Sequence, residues 1–275
     1  MANLFGTRLL EAFAETGQLC VGIDPHSALL QSWGLTDDAK GLREFGLRVI
    51  EAAAGRVSTI KPQVSFFERF GAQGYSVLAE LTNEAHSKGL LVIADAKRGD
   101  IGTTMDAYLE AWFGENSGLY ADALTVSPYL GLGATSDVFT KWITKGKGIY
   151  SLVATSNPQG GSVQLAAING TSLAGDQWKQ LSVLNGSDLG PYGAVIGATL
   201  DLTRFGIDSS IHNVPILAPG FGAQGALLSE AKQIYGELAP LVSYSVSRSV
   251  LAAGTDALVE AINQANLELK SGLTQ

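Results

Sequence analysis

Cysteine is nearly absent from this chain: its 275 residues include one, Cys20. A single thiol excludes an internal disulfide and any metal cluster built on cysteines. Cys20 lies in the apolar segment Leu19-Cys20-Val21, which reads as a buried, unreactive thiol. Charge is also scarce, at 16% of residues, with a net charge of −8. No run of Lys or Arg tracks a strand or helix, so nucleic acid is disfavoured as the main partner. An anionic small molecule is still admissible, because local charge rather than net charge decides binding. No stretch of about 18 apolar residues occurs, and no membrane span is expected. The segment Met1-Ala-Asn-Leu-Phe-Gly-Thr-Arg8 lacks the basic-then-apolar pattern of an export signal. A cytoplasmic protein is expected.

What the chain does hold is apolar residues, 46% of the total, and 33 glycines. That suffices for a full core and predicts many close turns. Short apolar runs recur at Leu19–Ile23, Ser58–Pro62, Leu90–Ala94, Ala123–Val126, Ile149–Ala154, Ala194–Ala198, Pro215–Ala218 and Val242–Val246. Segments with helical spacing lie between them, such as Gly74–Ser87 and Thr104–Phe113, and the last is Arg248–Leu269. This alternation argues for an α/β fold with a parallel sheet. Eight strand–helix units in about 250 residues fit a closed (β/α)8 TIM barrel, with a doubly wound open sheet as the alternative. Two observations favour the barrel. Chemistry-bearing residues follow several different strands, and no GxGxxG fingerprint follows the first. A single domain over residues 1–275 is expected. The Gly/Ser/Asn-rich stretch Ser156–Ser172 predicts a long, lid-like loop. Asn185–Pro191 predicts a second surface loop.

The most informative stretch is Leu90-Leu-Val-Ile-Ala-Asp-Ala-Lys-Arg-Gly-Asp100. An apolar strand ends abruptly in Asp95, Lys97, Arg98 and Asp100. Residues two apart on a strand share a face, so Asp95 and Lys97 project together from its C-terminal end. Gly99 lets the backbone turn, so that Asp100 folds back toward the same space. Flanking carboxylates favour the ammonium form of a lysine, which argues against a Schiff-base nucleophile. The ammonium form suits a general acid that gives a proton to a carbanion.

Other strand ends carry further candidates. Asp24, in Gly22-Ile-Asp-Pro-His26, reads as an acceptor for sugar hydroxyls or as a helix cap before Pro25. His26 reads as a hydrogen-bonded loop residue. Lys61 is a second cation, paired with Asp24 or Asp95, or else a strand-end lysine reaching water. Thr155 and Ser156 offer hydroxyls to a polar ring edge, or cap the loop. Leu217-Ala-Pro-Gly-Phe-Gly-Ala-Gln-Gly225 is a glycine-rich turn whose amides can cradle a phosphate, with Gln224 closing over it. Arg248, in Ser245-Val-Ser-Arg-Ser249, follows the last strand, and loops after strands seven and eight form the usual phosphate site of such barrels.

Together these residues resemble the orotidine 5′-phosphate decarboxylase family, in its longer bacterial branch. The resemblance runs from Gly22-Ile-Asp-Pro to Ser245-Val-Ser-Arg. Its most specific element is Asp95-Ala-Lys-Arg-Gly-Asp-Ile-Gly-Thr-Thr104, matching D-x-K-x-x-D-I-x-x-T. The resemblance implies decarboxylation of orotidine 5′-monophosphate to uridine 5′-monophosphate and CO2, the last step of de novo pyrimidine nucleotide synthesis. It implies Lys97 as proton donor to C6, with Asp95 and Asp100 as the charged network around it. It implies a homodimer in which Asp100, Ile101 and Thr104 reach into the partner's site. Asp24 and Lys61 match ribose-binding positions, and Ser156 matches the residue on the pyrimidine amide edge. Gln224 and Arg248 match the phosphate grippers, with Pro219, Gly222 and the backbone of Ser247 beside them. No metal or organic cofactor is implied. Ala226 departs from the pattern, standing where a further glycine often follows Gln-Gly. Two alternatives stay open. One is a metal-dependent keto-sugar phosphate decarboxylase, which shares D-x-K-x-x-D but needs a carboxylate where Lys61 stands. The other is a nucleotide- or phosphosugar-binding protein without turnover.

Overall fold

Apolar strands and amphipathic helices alternate around a closed barrel in this computed structural model, which describes residues 4–168 and 170–274. The barrel strands are β1 (Leu19–Ile23), β2 (Thr59–Pro62), β3 (Leu91–Arg98), β4 (Ala123–Val126) and β5 (Gly148–Ala154). After a small hairpin of β6 (Ala167–Ile168) and β7 (Thr171–Ser172) come β8 (Tyr192–Ile196), β9 (Ile216–Ala218) and β10 (Val242–Val246). The closed order is β1-β10-β9-β8-β5-β4-β3-β2, with neighbouring strands parallel. Every residue of β1, β2, β4, β8 and β10 is buried, as strands covered on both faces require.

The helices are α1 (Phe5–Thr16), α2 (Ser27–Ser32), α3 (Ala39–Ala53), α4 (Ser65–Glu68), α5 (Gly71–Ser87) and α6 (Gly102–Phe113). Then follow α7 (Leu132–Ile143), α8 (Gly161–Gln164), α9 (Leu173–Asn185), α10 (Ala231–Tyr235), α11 (Arg248–Leu251) and α12 (Gly254–Thr274). Helix α1 closes the N-terminal mouth. Phe5 and Leu9 are fully buried against Cys20, Ile93, Tyr150 and Leu217, which fill the barrel. Gly148 makes room for this plug, since a Cβ there would lie 2.4 Å from the Phe5 ring. Arg8 holds α1 in place by donating to Asp122 Oδ1 at 2.6 Å and to the Gly146 carbonyl at 2.9 Å. The plug leaves the C-terminal mouth as the open end.

Several boundaries differ from expectation. The expected strand Ala194–Ala198 lies two residues earlier, at Tyr192–Ile196, although the N–H groups of Gly197 and Ala198 still bond the Ala154 and Pro219 carbonyls at 2.9 Å. β3 runs on through Arg98 instead of ending at Ala94, past a register shift against β4. The helix expected over Arg248–Leu269 is two helices, separated at Ala252-Ala253 by the left-handed Gly254, φ 75°. The expected lid holds a 3-10 turn, α8 and the β6–β7 hairpin; its Asn169 lies outside the described residues.

Candidate active site at the C-terminal mouth

The open mouth holds a cavity of about 480 Å³. Asp24 reaches it from the end of β1, Lys61 from β2, Asp95 and Lys97 from β3 and Thr125 from β4. Thr155 and Ser156 follow β5, Pro219 and Gln224 follow β9, and Ser247 and Arg248 follow β10. A closed barrel brings these distant segments together because each strand points its C-terminal end at one mouth.

At the centre one carboxylate sits between two ammonium groups. Asp95 Oδ2 pairs with Lys61 Nζ at 3.2 Å, and Asp95 Oδ1 pairs with Lys97 Nζ at 2.5 Å. Thr125 Oγ1 donates to the same Oδ1 at 2.9 Å and accepts the Lys97 backbone N–H at 2.9 Å. The side chains of Lys61 and Asp95 are 8% and 10% exposed, whereas that of Lys97 is 46% exposed. Burial by itself raises the Asp95 pKa. The charges of Lys61 and Lys97, with hydrogen bonds from Lys97 and Thr125, outweigh burial and hold it at about 2. Burial likewise pushes the Lys61 ammonium down, but Asp95 and Asp24 outweigh it and hold it above the usual lysine range. Lys61 is therefore the partner of Asp95 and a fixed cation in the wall, not a lysine reaching water.

Lys97 carries backbone strain. Its φ is +48°, a left-handed conformation that costs a non-glycine residue about 1–3 kcal/mol. The β3–β4 register shifts between Ala94 and Arg98, so a local irregularity at this point re-aims the chain.

Asp100 does not fold back through the turn at Gly99 toward Lys97 of its own chain. Its Oδ1 accepts the N–H of Ile101 at 2.8 Å, and no ion pair joins it to Lys97 among the described residues. The turn after Lys97 carries it to the head of α6 instead. Asp100, Ile101 and Thr104 stand outside the cavity of their own chain, and Ile101 is 60% exposed. The cluster within one chain is thus Lys61–Asp95–Lys97.

Asp24 is not the cap of α2. That role belongs to His26, whose Nδ1 accepts the Leu29 N–H at 3.3 Å. Asp24 Oδ2 instead accepts a short hydrogen bond from Ser247 Oγ, and its Oδ1 has no protein partner. In the glycine-rich turn, the Gly222 N–H is taken by the Ala226 carbonyl at 2.8 Å, and Gly222 does not line the cavity. Its contribution is conformational: φ is +73°, and a Cβ would meet Ser249 Cβ at 2.5 Å. Ala226 is buried and closes the turn, so a side chain is accommodated there. The Arg248 guanidinium is exposed and has no ion-pair partner among the described residues. Ser156 Oγ meets Gln224 Oε1 at 3.1 Å, joining the lid to the glycine-rich turn. Gln164, unmarked in the sequence, ties the lid down by accepting the Thr155 N–H at 3.0 Å and donating to Thr155 Oγ1 at 2.7 Å. Among the described residues no three His, Cys, Asp or Glu side chains converge to hold a metal ion.

Comparison with known proteins places the chain in a family. The family model for orotidine 5′-phosphate decarboxylase / HUMPS matches residues 17–262. The orotidine 5′-phosphate decarboxylase of Streptomyces coelicolor is 46% identical over 276 residues, covering 98% of each chain. That of Salinispora arenicola is 46% identical over 275 residues, again covering 98% of each. A crystal structure from Streptomyces avermitilis, ascribed to the same enzyme, is 44% identical with a TM-score of 0.94, covering 100% of this chain and 97% of the other. On this match the chain belongs to the orotidine 5′-phosphate decarboxylase family.

Proposed function

We propose that this chain is a cytoplasmic carboxy-lyase that converts orotidine 5′-monophosphate to uridine 5′-monophosphate and CO2 within a single domain over residues 1–275. The Lys61–Asp95–Lys97 chain, lining one cavity with an unpaired Arg248, carries this reading. The bond from C6 to the carboxylate breaks, CO2 departs, and the electron pair stays on C6. That pair lies in the ring plane, where no conjugated sink reaches it. The Lys97 ammonium stabilises it by its charge and then donates a proton to C6. Asp95 aims Lys97, and solvent reprotonates the resulting amine. The free Oδ1 of Asp24 and the ammonium of Lys61 suit ribose hydroxyls. Ser156 suits the pyrimidine amide edge. Gln224 and Arg248 suit the phosphate, with Pro219, Gly222 and Ser247 shaping the site around them. Closure over the phosphate converts remote binding energy into transition-state stabilisation.

The reaction is tested by the ultraviolet change on mixing protein with orotidine 5′-monophosphate in the presence of chelator. Rapid conversion supports the reading. Chelator-sensitive turnover of a keto-sugar phosphate instead would overturn it, although Lys61, buried against Asp95, occupies the place where that chemistry needs a carboxylate. Tight nucleotide binding without turnover would favour a binding protein.

Arg248→Ala is expected to lower kcat/KM for the nucleotide by about 10²–10³-fold, the scale of losing a charge-assisted grip on phosphate. Turnover of orotidine, which lacks the phosphate, should be unchanged. An equal loss on both substrates would remove Arg248 from the phosphate site.

The outward placement of Asp100, Ile101 and Thr104 supports a homodimer in which they complete the neighbour's cavity. Mixing Lys97→Ala chains with Asp100→Asn chains should then regain turnover that neither shows alone. Absence of regain in mixed dimers would place Asp100 in its own chain's site.

A further inference from the structure

Arg98 follows Lys97 and is absent from the cavity lining, yet its side chain is anchored on several sides. Its Nη2 donates to Glu68 Oε1, at the end of α4, and to Tyr75 Oη on α5 at 3.2 Å. Tyr75 Oη in turn donates to Glu68 Oε1 at 2.6 Å. The guanidinium carbon lies 5.7 Å from the ring centre of Tyr108 and 5.9 Å from that of Trp112, both on α6. One cation therefore ties three helices to the end of β3. Its Nη1 also donates to the Ala96 carbonyl at 3.1 Å, so the side chain bridges backward across Lys97. The Arg98 carbonyl accepts the Ser127 N–H at 2.7 Å. The left-handed Lys97 is thus fastened on both sides, and strained conformations persist only where the surroundings over-determine them.

We propose that Arg98, with Glu68 and Tyr75, is a positioning device that holds the strained Lys97 backbone so that Nζ is delivered to Asp95 and to the reacting carbon. The proposal rests on Lys97 being the proton donor. Arg98 touches no cavity-lining group except through the β3 backbone and acts on the rate through geometry. Lysine cannot replace it fully, because a single ammonium cannot donate to Glu68, Tyr75 and Ala96 while stacking on two rings.

The test is the kinetics of Arg98→Met, which keeps the apolar stem and removes the guanidinium. The expected kcat falls about 10²-fold, the usual cost of a misplacement near 1 Å, while KM for orotidine 5′-monophosphate changes less than about threefold. Arg98→Lys should recover part of the loss. In a Lys97→Ala background the same change should lower the residual kcat by less than about twofold, because the residue it acts through is gone. A kcat retained within about threefold, or an equal loss in both backgrounds, overturns the proposal. If Arg98→Met does not fold, Tyr75→Phe removes one hydrogen bond and should still lower kcat several-fold at unchanged KM; an unchanged kcat then overturns the proposal. A wild type that folds but does not decarboxylate the nucleotide overturns the assigned function instead.

Discussion

Lys97→Ala is expected to lower turnover of orotidine 5′-monophosphate by well over the ~10²–10⁴-fold credited to general acid–base catalysis. Two contributions vanish together. The proton for C6 has no donor, and the cation beside the developing carbanion is gone. The fold has little reason to suffer. Lys97 is about half exposed, and removing it leaves Asp95 paired with Lys61 at 3.2 Å and bonded to Thr125 at 2.9 Å. The change also removes the side chain at a residue with φ +48°, whose strain remains. Affinity for the product nucleotide should therefore change far less than kcat, since the groups suited to ribose and phosphate lie on β1, β2 and the turns after β9 and β10. The absorbance change on mixing, followed for hours at high enzyme concentration, measures the residual rate. Near-normal turnover would rule out the proton-donor role.

The barrel is legible because its strands are short apolar runs separated by turn residues. The part played by α1 is not, since it depends on Tyr150 and Gly148, distant in the chain, packing directly against Phe5. The sequence leaves Lys61 a choice between Asp24 and Asp95. Only the β1–β2–β3 register and the resulting distance decide for Asp95. Alternation puts Asp95 and Lys97 on one face, which the cavity bears out, but it cannot foresee φ +48° at Lys97 or the shift in register. The same turn sends Asp100 outward, where the simple period of a strand no longer applies. Thr125 was within reach, as a hydroxyl inside the apolar strand Ala123-Leu-Thr-Val126. Gln164 was not, because nothing in a polar loop marks which amide will meet Thr155.

Asp95→Asn is expected to cost both activity and stability. The amide has nearly the shape of the carboxylate, so it leaves no cavity, and its effect is electrostatic. The new NH2 group would face an ammonium or the Thr125 hydroxyl proton, and donors would oppose donors at one of the two oxygen positions. Lys61, 8% exposed, would keep Asp24 as its one compensating carboxylate among the described residues. Breaking a buried pair by removing one partner typically costs about 3–5 kcal/mol. Lys97 would lose the group that aims it, and kcat should fall at least ~10³-fold as acid catalysis and orientation fail together. The pH dependence separates this from generic damage. The wild-type carboxyl is held at about 2, below its ordinary 3.8, so its stabilisation is full above about pH 4 and is lost as pH falls through about 2. That depression corresponds to about 2–3 kcal/mol. The variant has no such group to titrate. Asp122, also held at about 2, titrates in both proteins and cancels in the difference. The stability gap from urea unfolding should therefore be widest at neutral pH and narrow as acid is added below about pH 4. A gap that stays constant with pH would show that the loss comes from something other than the Asp95 charge.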